Sequence, residues 1–135
     1  MNNINPVCWF EIYVNDLDRA KKFYSEVLGQ NFTNVDMPDD GSKGDMQMAF
    51  FSGSESPEAP NANGALIKMS GVKSIGQATL STIVYFGCAD CSVEESRVVA
   101  AGGQVHKSKF SIGEYGFCAI CLDTEGNTFG LYSMQ

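Results

Sequence analysis

One order of segments occurs twice along this chain, and that repetition limits the fold more than any other feature. VCWFEIYV at 7–14 is β-branched and aromatic and reads as a strand. NDLDRAKKFYSEVLG follows as a helix: Asn15 or Asp16 caps it, and Leu17, Ala20, Phe23, Tyr24, Val27 and Leu28 recur at helical spacing before Gly29 stops it. NFTNV, MQMAFF and GALIKMS read as three strands. From Leu80 the order starts again. LSTIVYFGC is a strand, ADCSVEESRVVAAGG a helix ended by glycines, and QVHKSKF, GFCAICL and NTFGLYS three further strands. At an offset of 74, Asp16 meets Asp90, Gly29 meets Gly103 and Gln30 meets Gln104, while Phe10, Ile12 and Val14 meet Val84, Phe86 and Cys88. The identities fall at helix starts and stops, where chain geometry demands special residues. The spacing therefore predicts one α+β domain over 1–135, built by internal duplication from β-α-β-β-β halves at 7–71 and 80–134. Two turn-rich stretches, DMPDDGSKGD (36–45) and SGSESPEAPNAN (52–63), are connections within it, since neither flank is large enough to fold alone.

The charge balance removes whole classes of partner. The net charge is −7 and the densest basic pair is Lys21-Lys22, which opposes binding to nucleic acid or anionic membranes. No stretch approaches the roughly 18 apolar residues of a membrane span. The first residues, MNNINPVCWF, lack the basic and apolar regions of a secretion signal, so a cytoplasmic setting with free thiols is expected.

Two C-x-x-C pairs, Cys88/Cys91 and Cys118/Cys121, raise the question of a zinc or redox site. The 26-residue spacer is long for a zinc ribbon. CAIC also lies inside a strand, where residues three apart face opposite ways. Cys91 in the first turn of a helix fits a lowered thiol pKa somewhat better, but Cys88 occupies a core position of the repeat. Structural cysteines are the expectation.

The strings FEIYVNDLDRAKKFYSEVLG and CLDTEGNTFGLYS, with GALIKMSG between them, resemble the vicinal oxygen chelate superfamily of glyoxalases, bleomycin-resistance proteins and extradiol dioxygenases. The first is similar to the family's opening strand and helix, the last to its closing hairpin. The resemblance covers essentially the whole chain. It implies two βαβββ half-modules forming curved mixed sheets around a cup, and usually a homodimer. It also implies a divalent metal held by four His or Glu side chains. Carried over singly, those positions fall on Trp9, Lys68, Ile83 and Gly130, none of them such a donor. The resemblance therefore implies no metal and no other cofactor for this chain. The one histidine, His106, stands on the strand after the second helix, away from these positions.

Strand alternation turns Phe10, Ile12 and Val14 toward the helix and Trp9, Glu11 and Tyr13 toward the cup. Ile83 and Tyr85 share the cup face, as do Thr128, Gly130 and Tyr132. Candidate ligand-binding residues are thus Trp9, Glu11, Tyr13, Lys68, Tyr85 and Tyr132, with Tyr115 and Phe117 at the mouth. Glu11 and Lys68 admit three readings: a structural ion pair, a pair that orients a ligand, or an acid–base pair. The 52–63 loop is either a lid or a plain connection. The expected function is binding of an unidentified small molecule. A metal-dependent lyase or dioxygenase of the glyoxalase type, a metal-free enzyme using Glu11 as base, and a subunit that binds only a protein partner are the alternatives.

Overall fold

The computed structural model describes residues 5–35, 46–54, 56, 58–69, 74–75, 78–79 and 81–135. The 36–45 connection lies outside them. The first half runs β1 (Val7–Tyr13), α1 (Leu17–Leu28), β2 (Phe32–Val35), β3 (Gln47–Phe51) and β4 (Asn63–Lys68). A short hairpin, β5 (Ser74–Ile75) and β6 (Ala78–Thr79), precedes the second half. That half runs β7 (Thr82–Gly87), α2 (Cys91–Val98), β8 (Gln104–Ser111), β9 (Phe117–Leu122) and β10 (Thr128–Ser133). The α+β class and the glyoxalase/bleomycin-resistance-like fold expected from the sequence are what forms.

Both helices begin where the sequence places their caps. The Asp16 carboxylate accepts the Arg19 N–H, and the Asp90 carboxylate accepts that of Ser92, satisfying donors left open by the first turn. Gly29 closes α1 in the left-handed region, at φ 67°. Gly103, 74 residues further on, does different work. The second helix ends earlier, at Val98, and a Cβ on Gly103 would lie 2.5 Å from the Leu122 carbonyl oxygen. That glycine lets the chain leave α2 pressed against β9.

Eight strands form one mixed sheet in the order β2-β3-β4-β1-β7-β10-β9-β8. The halves join at β1 and β7, which run antiparallel, while β4 and β10 flank them in parallel. Phe10 sits opposite Val84, the point at which two positions 74 apart meet across the antiparallel seam. The helices cover one face of the sheet. Leu17, Ala49 and Leu66 pack there with Ile12, Tyr24 and Phe51 under α1, and Cys91, Ala119, Cys121 and Leu131 pack with Phe86 and Phe129 under α2. Leu66 is fully buried, so its truncation to alanine costs about 2–5 kcal/mol. The opposite face curves into a cup, and Trp9 and Tyr13 pack against the clusters of both halves there.

Candidate functional site

The cup encloses a cavity of about 600 Å³ lined from both halves of this one chain. Its wall is built on the seam strands. Trp9, Glu11 and Tyr13 alternate along β1, so all three project to the same side. Tyr85 projects beside them from β7. Glu11 is only 8% exposed, and its carboxylate gathers three donors. Tyr85 donates to Oε1 at 2.7 Å, Tyr13 to Oε1 at 2.9 Å, and the Trp9 indole N–H to Oε2 at 3.3 Å. Burial raises the Tyr13 and Tyr85 phenols well above the usual tyrosine range, and the Glu11 charge raises them further. At neutral pH these phenols are proton donors, not bases.

Above this wall the cavity is mostly apolar: Met48 and Phe50 from β3, Ile67 from β4, Ile83 from β7, and Ile120 from β9. The Phe50 ring meets Trp9 edge-on at 5.1 Å and Tyr115 at 6.2 Å. Tyr115 stands in a 3₁₀ turn, Gly113–Tyr115, and its carbonyl accepts the Tyr132 hydroxyl. These contacts carry one aromatic chain across the mouth from the first half to the second.

Six of the eight residues expected at the site line this cavity: Trp9, Glu11, Tyr13, Tyr85, Tyr115 and Tyr132. Lys68 and Phe117 do not. On β4 it is Ala65 that pairs with Glu11, and Ile67 that reaches the cavity, so Lys68 alternates away and the expected Glu11–Lys68 pair does not form. Phe117 packs with Ala119 and Cys121 on the α2 side, under the Lys109 ammonium at 4.7 Å from its ring. Thr128 is likewise absent from the lining, and so is every described residue of the 52–63 loop.

Two bulges add residues that alternation could not supply. Between Val7 and Trp9 the pairing of β1 with β7 slips by one, and Cys8 turns to the cavity. Between Val105 and Lys107 the pairing of β8 with β9 slips in the same way. His106 and Lys107 consequently both face the cavity, at its exposed rim.

All five cysteines are free thiols. Cys118 packs in the cup beside Ile83 and Tyr85, whereas Cys121 packs under α2, the opposite-face arrangement that rules out joint chelation. Burial pushes the Cys88 thiol up to about 12 and the Cys121 thiol up to about 11, away from redox reactivity.

The family description "Bleomycin resistance protein-like N-terminal" matches residues 7–40. CFP32, named as a glyoxylase in Mycobacterium bovis and Mycobacterium tuberculosis, is 29% identical over 125 residues. The match takes in 92% of this chain and 44% of the relative, so the chain spans less than half of that protein's length. Among solved structures, methylmalonyl-CoA epimerase of Streptomyces coelicolor, in complex with 2-nitronate-propionyl-CoA, superposes with a TM-score of 0.69 at 16% identity. That superposition covers 97% of this chain and 98% of the epimerase. Methylmalonyl-CoA epimerase of Mycobacterium tuberculosis gives 0.67 at 16% identity, covering 96% and 88%. The chain shares the fold of these epimerases, the glyoxalase/bleomycin-resistance-like fold.

The metal that the resemblance to the vicinal oxygen chelate superfamily implies needs oxygen or imidazole donors converging at about 2 Å. On the four central strands the cup-facing residues include Cys8, Trp9, Glu11 and Tyr13, Ala65 and Ile67, Ile83 and Tyr85, and Gly130 and Tyr132. Glu11 is the sole carboxylate of that set, and both its oxygens already accept hydrogen bonds. Tyr85 also lies over Gly130, where a Cβ would stand 2.2 Å from its ring, so no donor side chain fits at that position. These residues do not fit a divalent cation at the superfamily's place for one.

Proposed function

We propose that this chain is a member of the vicinal oxygen chelate superfamily that binds a small organic molecule in the cup, through its own side chains and without a metal. One observation carries the reading: a 600 Å³ apolar cavity whose wall is a hydrogen-bonded cluster of Glu11, Trp9, Tyr13 and Tyr85. The volume suits a ligand of roughly 300–1,000 Å³ class pockets, with few polar groups to set orientation. The epimerases of like fold are described with acyl-CoA molecules, which supports a small-molecule reading here. The repeat at an offset of 74 supports descent of the two halves from one duplicated unit. Pairing of two copies into a homodimer, a cytoplasmic setting, and the absence of nucleic-acid partners belong to the same proposal. Among the described residues no helix is long and apolar enough to cross a membrane.

Trp9 is the single tryptophan and lines the cavity, so the chain carries its own reporter. A metabolite panel titrated against Trp9 fluorescence, before and after exhaustive chelation, tests the proposal. Saturable quenching that survives chelation is expected. Quenching abolished by chelation and restored by a divalent cation would overturn the metal-free reading. No response across a broad panel would overturn ligand binding itself.

A further inference from the structure

We infer that the ligand is an amphipathic anion: an apolar body seated in the cup, with a carboxylate held at the rim by Lys107 and His106. This rests on the small-molecule reading above and specifies its charge and orientation.

The cavity is polarised. Its deep wall carries the Glu11 carboxylate, buried and hydrogen-bonded. Its middle is sulfur and hydrocarbon, from Met48, Ile67, Ile83 and Ile120. Its rim carries Lys107 and His106, both exposed. An anionic group entering deeply meets a like charge in a medium that screens poorly, whereas at the rim it meets an ammonium and an imidazole. An apolar tail loses nothing by going deep. The arrangement thus selects one end of the ligand for each end of the cavity.

The rim pair is a built feature of the strand. Regular alternation would turn only one of two consecutive residues inward, and the β8 bulge turns both. Lys107 is further positioned by Phe110, whose ring centroid lies 4.0 Å from its Nζ. Lys21, Lys22 and Lys109 each hold an ion pair, but Lys107 holds none among the described residues. In a chain of net charge −7, a cation and an imidazole placed together at the mouth of an apolar cavity are a local exception that an anion reads.

Three eight-carbon probes of matched shape test this: octanoate, octanamide and octylamine, titrated by calorimetry and Trp9 fluorescence. The expected order is octanoate above octanamide above octylamine. Lys107→Gln is expected to weaken octanoate about fivefold and leave octanamide unchanged. Lys107→Glu is expected to weaken it further, and added salt to erode the octanoate preference in the wild type. Lys22→Gln, on the far side of α1, serves as the control. Octanamide binding as well as octanoate, with Lys107→Gln silent, overturns the charge assignment and leaves the binding cup standing. Octylamine binding best overturns it in favour of Glu11 as the recognition charge. Failure of all three probes in a folded protein overturns this inference and counts equally against an accessible cup.

Discussion

Tyr85 donates its phenolic proton to Glu11 Oε1 across 2.7 Å, and the two residues stand 74 apart, the offset at which the sequence of one half aligns with the other. The relationship follows from the seam. Antiparallel pairing sets Phe10 against Val84, so the next cup-facing positions on either side of that pair come within reach of each other. Equivalent positions carry different chemistry, a carboxylate in the first half and a phenol in the second, and the difference makes them complementary.

Tyr85→Phe keeps the ring and removes this donor. Glu11 retains Tyr13 and Trp9, so the expected loss is about 1–2 kcal/mol, read from urea unfolding. An unchanged midpoint would show that the bond contributes nothing to stability.

Gly130→Ala places a methyl group into the Tyr85 ring, at 2.2 Å from its nearest carbon before any movement. The backbone of β10 is fixed by pairing to β9 and β7, so the ring must shift, at a cost of about 1–3 kcal/mol. In a Tyr85→Ala background the same change is expected to cost far less. Equal costs in the two backgrounds would separate Gly130 from Tyr85 energetically.

Alkaline titration followed by phenolate absorbance distinguishes the tyrosines. Tyr13 and Tyr85 hold their protons far above the ordinary 10.0, because burial and the Glu11 charge disfavour the phenolate. The unfolded chain releases these protons near 10.0. Their contribution to stability is thus complete below that pH and declines as pH rises beyond it. Two of the five tyrosines are expected to ionise only together with unfolding. A smooth titration of all five in the folded protein would contradict the buried cluster.

Asp90 responds at the other end of the scale. Hydrogen bonds from Ser92 and from Lys109, whose Nζ lies 2.9 Å away, pull its carboxyl down from 3.8 to about 2. A group lowered on folding contributes stability above its unfolded pKa and loses it as pH falls through the folded value. Asp90→Asn is therefore expected to flatten the acid limb of the stability curve between about pH 4 and 2, with little change in slope above it. A parallel downward offset with the same slope would mean that the cap acts without titrating.

The sequence alone determined the order of elements, the helix starts at Asp16 and Asp90, and the faces of β1, because each has a local physical cause. A capping carboxylate acts within three residues, and β1 alternates visibly between helix-facing and cup-facing side chains. Tertiary structure decided the rest of the site. Strands β4 and β9 are buried on both faces, between a helix and the cup, so their runs of apolar residues carry no alternation. Only pairing with neighbours sets their register, and it turned Lys68 and Phe117 away from the cup while bringing Ile67 and Cys118 to it. The bulges at Cys8 and His106 have no glycine to mark them; they arise from the mismatch between partner strands, a property of two segments together rather than of either one.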